Sequence, residues 1–278
     1  MSDRNPHTGA PRKPAQRAMN WIAQERWAIK AESLQLIMDI AGRTHEPDFE
    51  AVLAKRGTAI NEESQSFIRG STAVIPVSGP IFRYANLFTM FSGASSIEMM
   101  ALDLQQAQDS PLVKSIILDI DSPGGMVSGT SEFAAMVRAS RKPVVAYVGN
   151  MAASAAYWIA SAAGSIVMND TAQLGSIGVV SGMYKKDPND EVVEIVSSQS
   201  PNKRVDIETD EGRALVQKNT DELADVFIDA VAGYRGVTRD KVLSDFGAGG
   251  LLIGKNAIGA GMGDRLGSLE LLIAQLNR

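Results

Sequence analysis

Two short stretches of this chain hold residue types that do chemistry together. The first is Asp121-Ser122-Pro123-Gly124-Gly125; the second is Asn150-Met151-Ala152-Ala153-Ser154-Ala155-Ala156-Tyr157-Trp158. A proline followed by two glycines lets the backbone turn sharply and present its amide N–H groups. Amides aimed at one point can stabilise an oxyanion, each donor being worth roughly 10²–10³ in rate. Ser154 stands among alanines, which leave its hydroxyl open to an extended peptide, and a helix beginning there favours a developing negative charge. Taken singly, each stretch also reads as an ordinary boundary between elements: a strand-to-helix turn in the first, a serine helix cap in the second.

A serine nucleophile needs a base. The two histidines, His7 and His45, both lie well upstream, so a Ser-His-Asp arrangement is not expected. A lysine can serve instead when burial lowers its pKa from about 10.4 to about 7–8. Lys185, Lys186, Lys203, Lys218, Lys241 and Lys255 follow Ser154, and composition does not choose among them. The chain has no cysteine, which removes thiolate nucleophiles, disulfides and cysteine-ligated metals together.

The elements that must position these residues follow from the hydrophobic pattern. Strands are predicted over residues 72–77 (TAVIPV), 113–119 (VKSIILD), 143–148 (PVVAYV), 165–168 and 192–196. Between them, Ile97, Met100, Ala101, Leu104 and Ala107 share one face of a helix that Ser95 or Ser96 would cap. Further helices are predicted over 131–139, 154–163 and 211–234, the last with Leu215, Leu223, Phe227 and Val231 on or near one face. This alternation predicts an α/β fold with a mostly parallel sheet and covering helices, whose sites gather where strands end and helices begin. Upstream, the spacing of Ala28, Leu34, Ile37, Met38 and Ala41 predicts a helix over 27–40, closed by Gly42. The chain therefore divides into a polar disordered arm (1–17), an N-terminal helix and linker (18–70), and an α/β domain (71–278).

With 278 residues, 45% of them hydrophobic and 21% charged, the composition is that of a soluble globular chain with a sizeable core. A net charge of −5 argues against nucleic acid as the main partner. No apolar run reaches the roughly 18 residues of a membrane span, and residues 1–17 lack the apolar centre of a secretory signal.

Four motifs occur in series: SPGG at 122–125, KPVVAYV at 142–148, MAASAAYWIASAA at 151–163 and LGSIGVV at 174–180. Over residues 72–272 the chain resembles the signal peptide peptidase A (protease IV) family, and best its short phage-type branch of head maturation proteases. The resemblance implies a Clp- and crotonase-like spiral α/β fold, a homo-oligomer, and a serine endopeptidase with a Ser/Lys dyad. Carried over, Ser154 is the nucleophile, Gly125 an oxyanion amide and Ala155 a second donor. Ser176 orients the lysine, and Lys203, 49 residues after Ser154 and following the strand ending near Val196, is the base. An extended substrate would pair with backbone at Gly124, Met126 and Val127 on one side and Gly178 and Val179 on the other, with small or apolar residues before the cut. No metal or cofactor is implied. The implied partners are peptide segments of scaffold, capsid or portal protein, met in the host bacterial cytoplasm within an assembling procapsid.

The chain departs from the family before the base, reading Ser197-Ser198-Gln199-Ser200-Pro201-Asn202-Lys203 where the family has Ser-Gly-x-x-Lys, and residues 181–191 are a shortened connection. Three other readings stand beside this one. A soluble cellular peptidase would cut signal peptides or protein fragments instead. A crotonase-type acyl-CoA enzyme would use the glycine loop without Ser154. A non-catalytic assembly protein would keep only the fold.

Overall fold

In the computed structural model, which describes residues 25–30, 32–35, 37–38, 66–85, 94–183 and 195–278, the strongest apolar runs lie side by side as parallel strands. In chain order the described elements begin with β1 (Arg26–Ile29), β2 (Phe67–Arg69), β3 (Thr72–Ser78), β4 (Ile81–Phe82), β5 (Ser95–Ser96) and α1 (Ile97–Asp109). Then come β6 (Ser115–Ser122), β7 (Gly124–Met126), α2 (Thr130–Arg138), β8 (Val144–Ala153), α3 (Ala155–Ala162), β9 (Ser165–Met168), β10 (Gln173–Gly175) and β11 (Val180–Ser181). After a single 3₁₀ turn (Pro201–Lys203) follow α4 (Asp210–Arg235), α5 (Arg239–Asp245), β12 (Leu251–Ile253), α6 (Gly254–Ala260), β13 (Arg265–Leu266) and α7 (Leu269–Leu276).

The main sheet runs β12-β10-β8-β6-β3-β2, with β9 and β13 branching from β8. Strands β6 and β8 are central and covered on both faces, which is why they read as almost unbroken apolar runs. Their side chains alternate between two cores. Ile75, Val77, Ile116, Leu118, Ile120, Ala146 and Val148 pack with Leu104, Phe133, Trp158 and Phe227 of the covering helices. On the opposite face Val74, Ile117, Val145, Tyr147 and Val167 meet Leu272 and Ile273 of α7. This is the mixed α/β, Clp- and crotonase-like architecture expected from the motifs.

Strand β8 has two neighbours on one side. Val145 to Val148 pair with β9, whereas Met151 to Ala153 pair with β10. The strand therefore runs past the predicted end at Val148 and delivers residue 154 beside β7 of a second sheet, β11-β1-β7-β4-β5. Ser96 caps α1 as predicted, accepting from the Met99 N–H at 3.4 Å.

Two expectations upstream need correction. The helix predicted to start at Trp27 does not: Arg26–Ile29 is a strand, and helical backbone occupies residues 32–35 and 37–38. Pairing with β7 and β11 sets that strand, and the helical spacing of Ala28 with later residues was coincidental. Within the stretch read as irregular linker, Phe67–Arg69 forms β2 against β3. The predicted arm, most of the linker, Gly42, and residues 192–194 of the predicted last strand lie outside the described residues; Ile195 and Val196 are not strand.

One ion pair ties α4 to the sheet. Arg235, its side chain 9% exposed, contacts Asp264 at 2.7 Å and also donates to the Gly261 carbonyl, while Asp264 accepts the Ile166 N–H at 2.7 Å. Burial alone would raise the Asp264 carboxyl, but the hydrogen bonds from Arg235 and Ile166 outweigh it and hold the group below its ordinary range. A carboxylate depressed in the folded state stabilises the protein above its unfolded pKa of about 3.9, and that stability is lost as pH falls through the folded value. Because Asp264 is partly exposed, Asp264→Ala is expected to cost roughly 2 kcal/mol at pH 7. Urea melts at pH 7 and pH 3 check it: the gap between variant and wild type should narrow at pH 3, and an unchanged gap would refute the assignment.

Candidate active site

Strand β8 ends in Ala152 and Ala153, and α3 begins with Ala155 and Ala156, all fully buried. Small side chains on both sides of the intervening Ser154 leave room for the chain to turn from strand to helix there. Ser154 takes φ 54°, ψ −120°, a conformation that a residue bearing a side chain rarely adopts. Such strain costs roughly 1–3 kcal/mol and persists only where surrounding structure enforces it. Here the enforcement is a hydrogen bond on each side: the Ser154 N–H donates to the Gly175 carbonyl at 2.7 Å, and the Ser154 carbonyl accepts the Trp158 N–H at 3.0 Å. The helix behind it is buried on every face, with Trp158 stacked on Phe227 at 4.5 Å and Tyr157 donating to the Met262 carbonyl at 3.0 Å. This is a sharp strand-to-helix turn of the kind that presents a nucleophilic serine, with the first helical amide, Ala155 N–H, beside it.

The glycine loop lies against that turn. The Ser122 hydroxyl donates to the Gly79 carbonyl at 2.6 Å and accepts the Gly124 N–H at 3.2 Å. Gly124 has φ +98°, and a methyl group there would come within 3.0 Å of Ser154 Cβ and 2.3 Å of the Ala28 carbonyl oxygen. At Gly125 a methyl group would sit 2.0 Å from the Ile81 carbonyl oxygen. Both positions therefore exclude any side chain. With the Gly124 amide held by Ser122, Gly125 supplies the next N–H. Gly125 is paired with Ala28 of β1. The flanking bonds, Lys30 N–H to the Pro123 carbonyl and Val127 N–H to the Arg26 carbonyl, are both 2.9 Å long. The alternation of an antiparallel ladder then puts the Ala28–Gly125 pair in the hydrogen-bonded set, so the Gly125 N–H meets the Ala28 carbonyl.

On the other side of Ser154, its hydroxyl points to the Gly178 carbonyl at 3.4 Å. Ser176 also has a positive φ, 53°, fixed by its N–H donating to the Gly250 carbonyl at 2.7 Å. It is half-buried, and among the described residues its hydroxyl has no hydrogen-bond partner. Ser154, Gly124, Gly125, Gly178 and Ala155 are thus brought together, with Ser176 adjoining through Gly175. Met126 and Val127 follow Gly125 and are paired with Trp27 and bonded to Arg26; Val179 precedes β11.

Lys203 is not brought into contact with Ser154. It closes the exposed turn Pro201–Lys203, where its N–H donates to the Ser200 carbonyl at 3.0 Å, and among the described residues its ammonium makes no hydrogen bond or ion pair. Lys185, Lys186, His7 and His45 lie outside the described residues. Missed by sequence reasoning were Trp27, Ala28 and Ile29, which pair with β7 along the glycine loop. The apolar run Trp-Ala-Ile was the available signal, and it was absorbed into a helical pattern.

Among the described residues no helix is long and apolar enough to cross a membrane. Residues 136–278 match the family model described as Peptidase family S49. The chain is similar to capsid assembly protease C of Escherichia phage lambda, 33% identical over 208 residues, which covers 72% of this chain and 47% of that protein. It is also similar to head-tail preconnector protein GP5 of Enterobacteria phage P21, 32% identical over 248 residues, covering 86% of this chain and 48% of that protein. Protease 4 of Salmonella typhi is 42% identical over 82 residues, covering 28% of this chain and 13% of that protein. The chain spans about half the length of the two phage relatives.

Proposed function

Because this chain belongs to peptidase family S49, we propose that it is a serine endopeptidase with Ser154 as nucleophile and Lys203 as base, acting on scaffold, capsid-associated or portal segments in an assembling phage procapsid. The observation that carries the reading is the strained Ser154 turn packed against the glycine loop. A peptide lies extended beside β7. Ser154 Oγ attacks the scissile carbonyl while Lys203, as the free amine, takes its proton. The N–H groups of Gly125 and Ala155 hold the oxyanion, and preorganised amides of this kind act on the charge that develops only in the transition state. Lys203 then protonates the leaving amine, and water hydrolyses the acyl-enzyme by the same route. For this the turn carrying Lys203 closes on Ser154; among the described residues the Lys203 ammonium has no hydrogen bond or ion pair to give up. Ser176, whose hydroxyl has no hydrogen-bond partner among the described residues, orients the amine.

The procapsid assignment rests on the two phage relatives, which are 33% and 32% identical over 72% and 86% of this chain. Confinement with substrate supplies selectivity to a weakly selective groove, because effective concentration rises with no new contact. The protein is expected to act there as a homo-oligomer, in the host bacterial cytoplasm. Co-expression with neighbouring head genes, followed by mass spectrometry of protein termini, tests this. New termini in head proteins are expected, absent with Ser154→Ala. Uncut head proteins beside cleaved host signal peptides would transfer the protein to the cellular branch.

A further inference from the structure

A piece of this chain already lies where a peptide substrate is expected. We infer that β1 is an internal substrate mimic, which fills the peptide groove with Ala28 in the acyl position at Ser154. The inference rests on the peptidase reading and adds the groove's resident occupant and the side chains it accepts.

The pairing carries the argument. β1 is antiparallel to β7, with Trp27 opposite Met126, Ala28 opposite Gly125 and Ile29 opposite Gly124. Its other edge is antiparallel to β11, with Arg26 opposite Ser181 and Trp27 opposite Val180. These are the two backbones a substrate would pair with, and neither presents a free edge at those residues. Within β1 the carbonyl beside the nucleophile is that of Ala28. Its oxygen lies 2.3 Å from the point where a Gly124 Cβ would stand, and that point is 3.0 Å from Ser154 Cβ. The same oxygen receives the Gly125 N–H, the amide assigned to the oxyanion. The antiparallel direction then puts Trp27 and Arg26 on the acyl side, with Ile29 and Lys30 on the leaving side. The Lys30 N–H anchors the leaving side to the Pro123 carbonyl.

Alternation along the strand sorts the subsites. Ala28 points into the main core, fully buried, in a space that holds a methyl group. Trp27 and Ile29 point the other way, into a cluster with Phe82, Met126, Ile37 and Ala94, where Trp27 meets Phe82 edge-on at 6.0 Å. The groove therefore selects an extended segment with an alanine-sized residue at the acyl position and large apolar residues on both sides of it. A substrate enters only when β1 leaves, and the fraction of molecules with β1 displaced scales the apparent affinity.

The test uses a fluorescent peptide with the sequence of residues 25–30, Glu-Arg-Trp-Ala-Ile-Lys, and the full chain carrying Ser154→Ala. Adding Ala28→Pro, which deletes the N–H that pairs with Gly125, should tighten peptide binding by about tenfold or more, as expected when a competent fraction near one tenth becomes dominant. Equal affinity in a folded variant would overturn the inference. Hydrogen exchange on the Ser154→Ala chain without that change is independent of how the variant folds: saturating peptide should speed exchange at residues 26–30 by about tenfold, and unchanged protection would overturn the inference. The peptidase reading is checked apart, with a serine-reactive probe on chains that keep Ser154. Tighter binding without any labelling of Ser154 would leave β1 as occupant and remove the nucleophile. Labelling at equal rates with and without Ala28→Pro would keep the nucleophile and remove the mimic.

Discussion

Ser154→Ala is expected to lower peptide hydrolysis by roughly 10³-fold or more, with the fold intact, since residues of one catalytic unit fail together and leave only the weak catalysis of binding and oxyanion donors. The change deletes one hydroxyl whose only hydrogen-bond partner among the described residues is the Gly178 carbonyl at 3.4 Å, so little stability depends on it. The backbone at this position adds a second, separable expectation. With φ 54° and ψ −120°, alanine keeps the strain and glycine relieves it. Ser154→Gly should therefore be equally inactive yet melt no lower than Ser154→Ala, despite the usual entropic cost of glycine. Initial rates on a peptide with alanine before the cut, together with thermal melts of both variants, decide the matter. Activity of Ser154→Ala within about tenfold of wild type would remove the serine from the mechanism.

Lys203→Ala is expected to cost about as much as Ser154→Ala, and the double variant little more than either, because base and nucleophile act in one step. Lys203→Arg should fail almost as completely. Arginine preserves length and positive charge but cannot give up its proton, so this variant separates a base from a cation that merely attracts substrate. Lys185→Ala and Lys186→Ala should change the rate by less than about threefold, a surface-level effect. A large loss at Lys185 or Lys186, with Lys203→Ala near normal, would move the base to the connection between β11 and the turn Pro201–Lys203.

The parallel core was readable because its signal is local: β6 and β8 are buried on both faces, so their sequences carry the burial directly. Ser154 was readable by type, since a serine among alanines after a buried strand implies a tight turn into a helix. The length of β8 was not, because Met151 to Ala153 are held by pairing with β10, and Ala152 with β6, rather than by any propensity of their own. Strand β1 was misread for the same reason. Four residues become a strand only because β7 and β11, both far downstream, flank them. The proposed base is the least legible residue, because Lys203 looks no different in sequence from any other lysine on a polar turn and the structure leaves it on an exposed one.

The side chain of Asn277 has a consequence for biosynthesis. Its amide oxygen accepts the Ser71 N–H at 2.7 Å, across 206 residues of chain, and its amide nitrogen donates to the Arg69 carbonyl at 2.9 Å. Nearby Glu270 of α7 grips the Arg69 guanidinium at 2.6 Å. At roughly 5–20 residues per second, translation leaves a gap of roughly 10–40 s between the two halves of this clasp. Throughout that interval the hairpin of β2 and β3 has emerged from the ribosome without α7 to lock it, and its outer strand can recruit a neighbouring nascent chain. Slow translation or high expression should therefore favour aggregation of ribosome-bound chains, and a chaperone that shields strand edges should act on this protein while it is still being made.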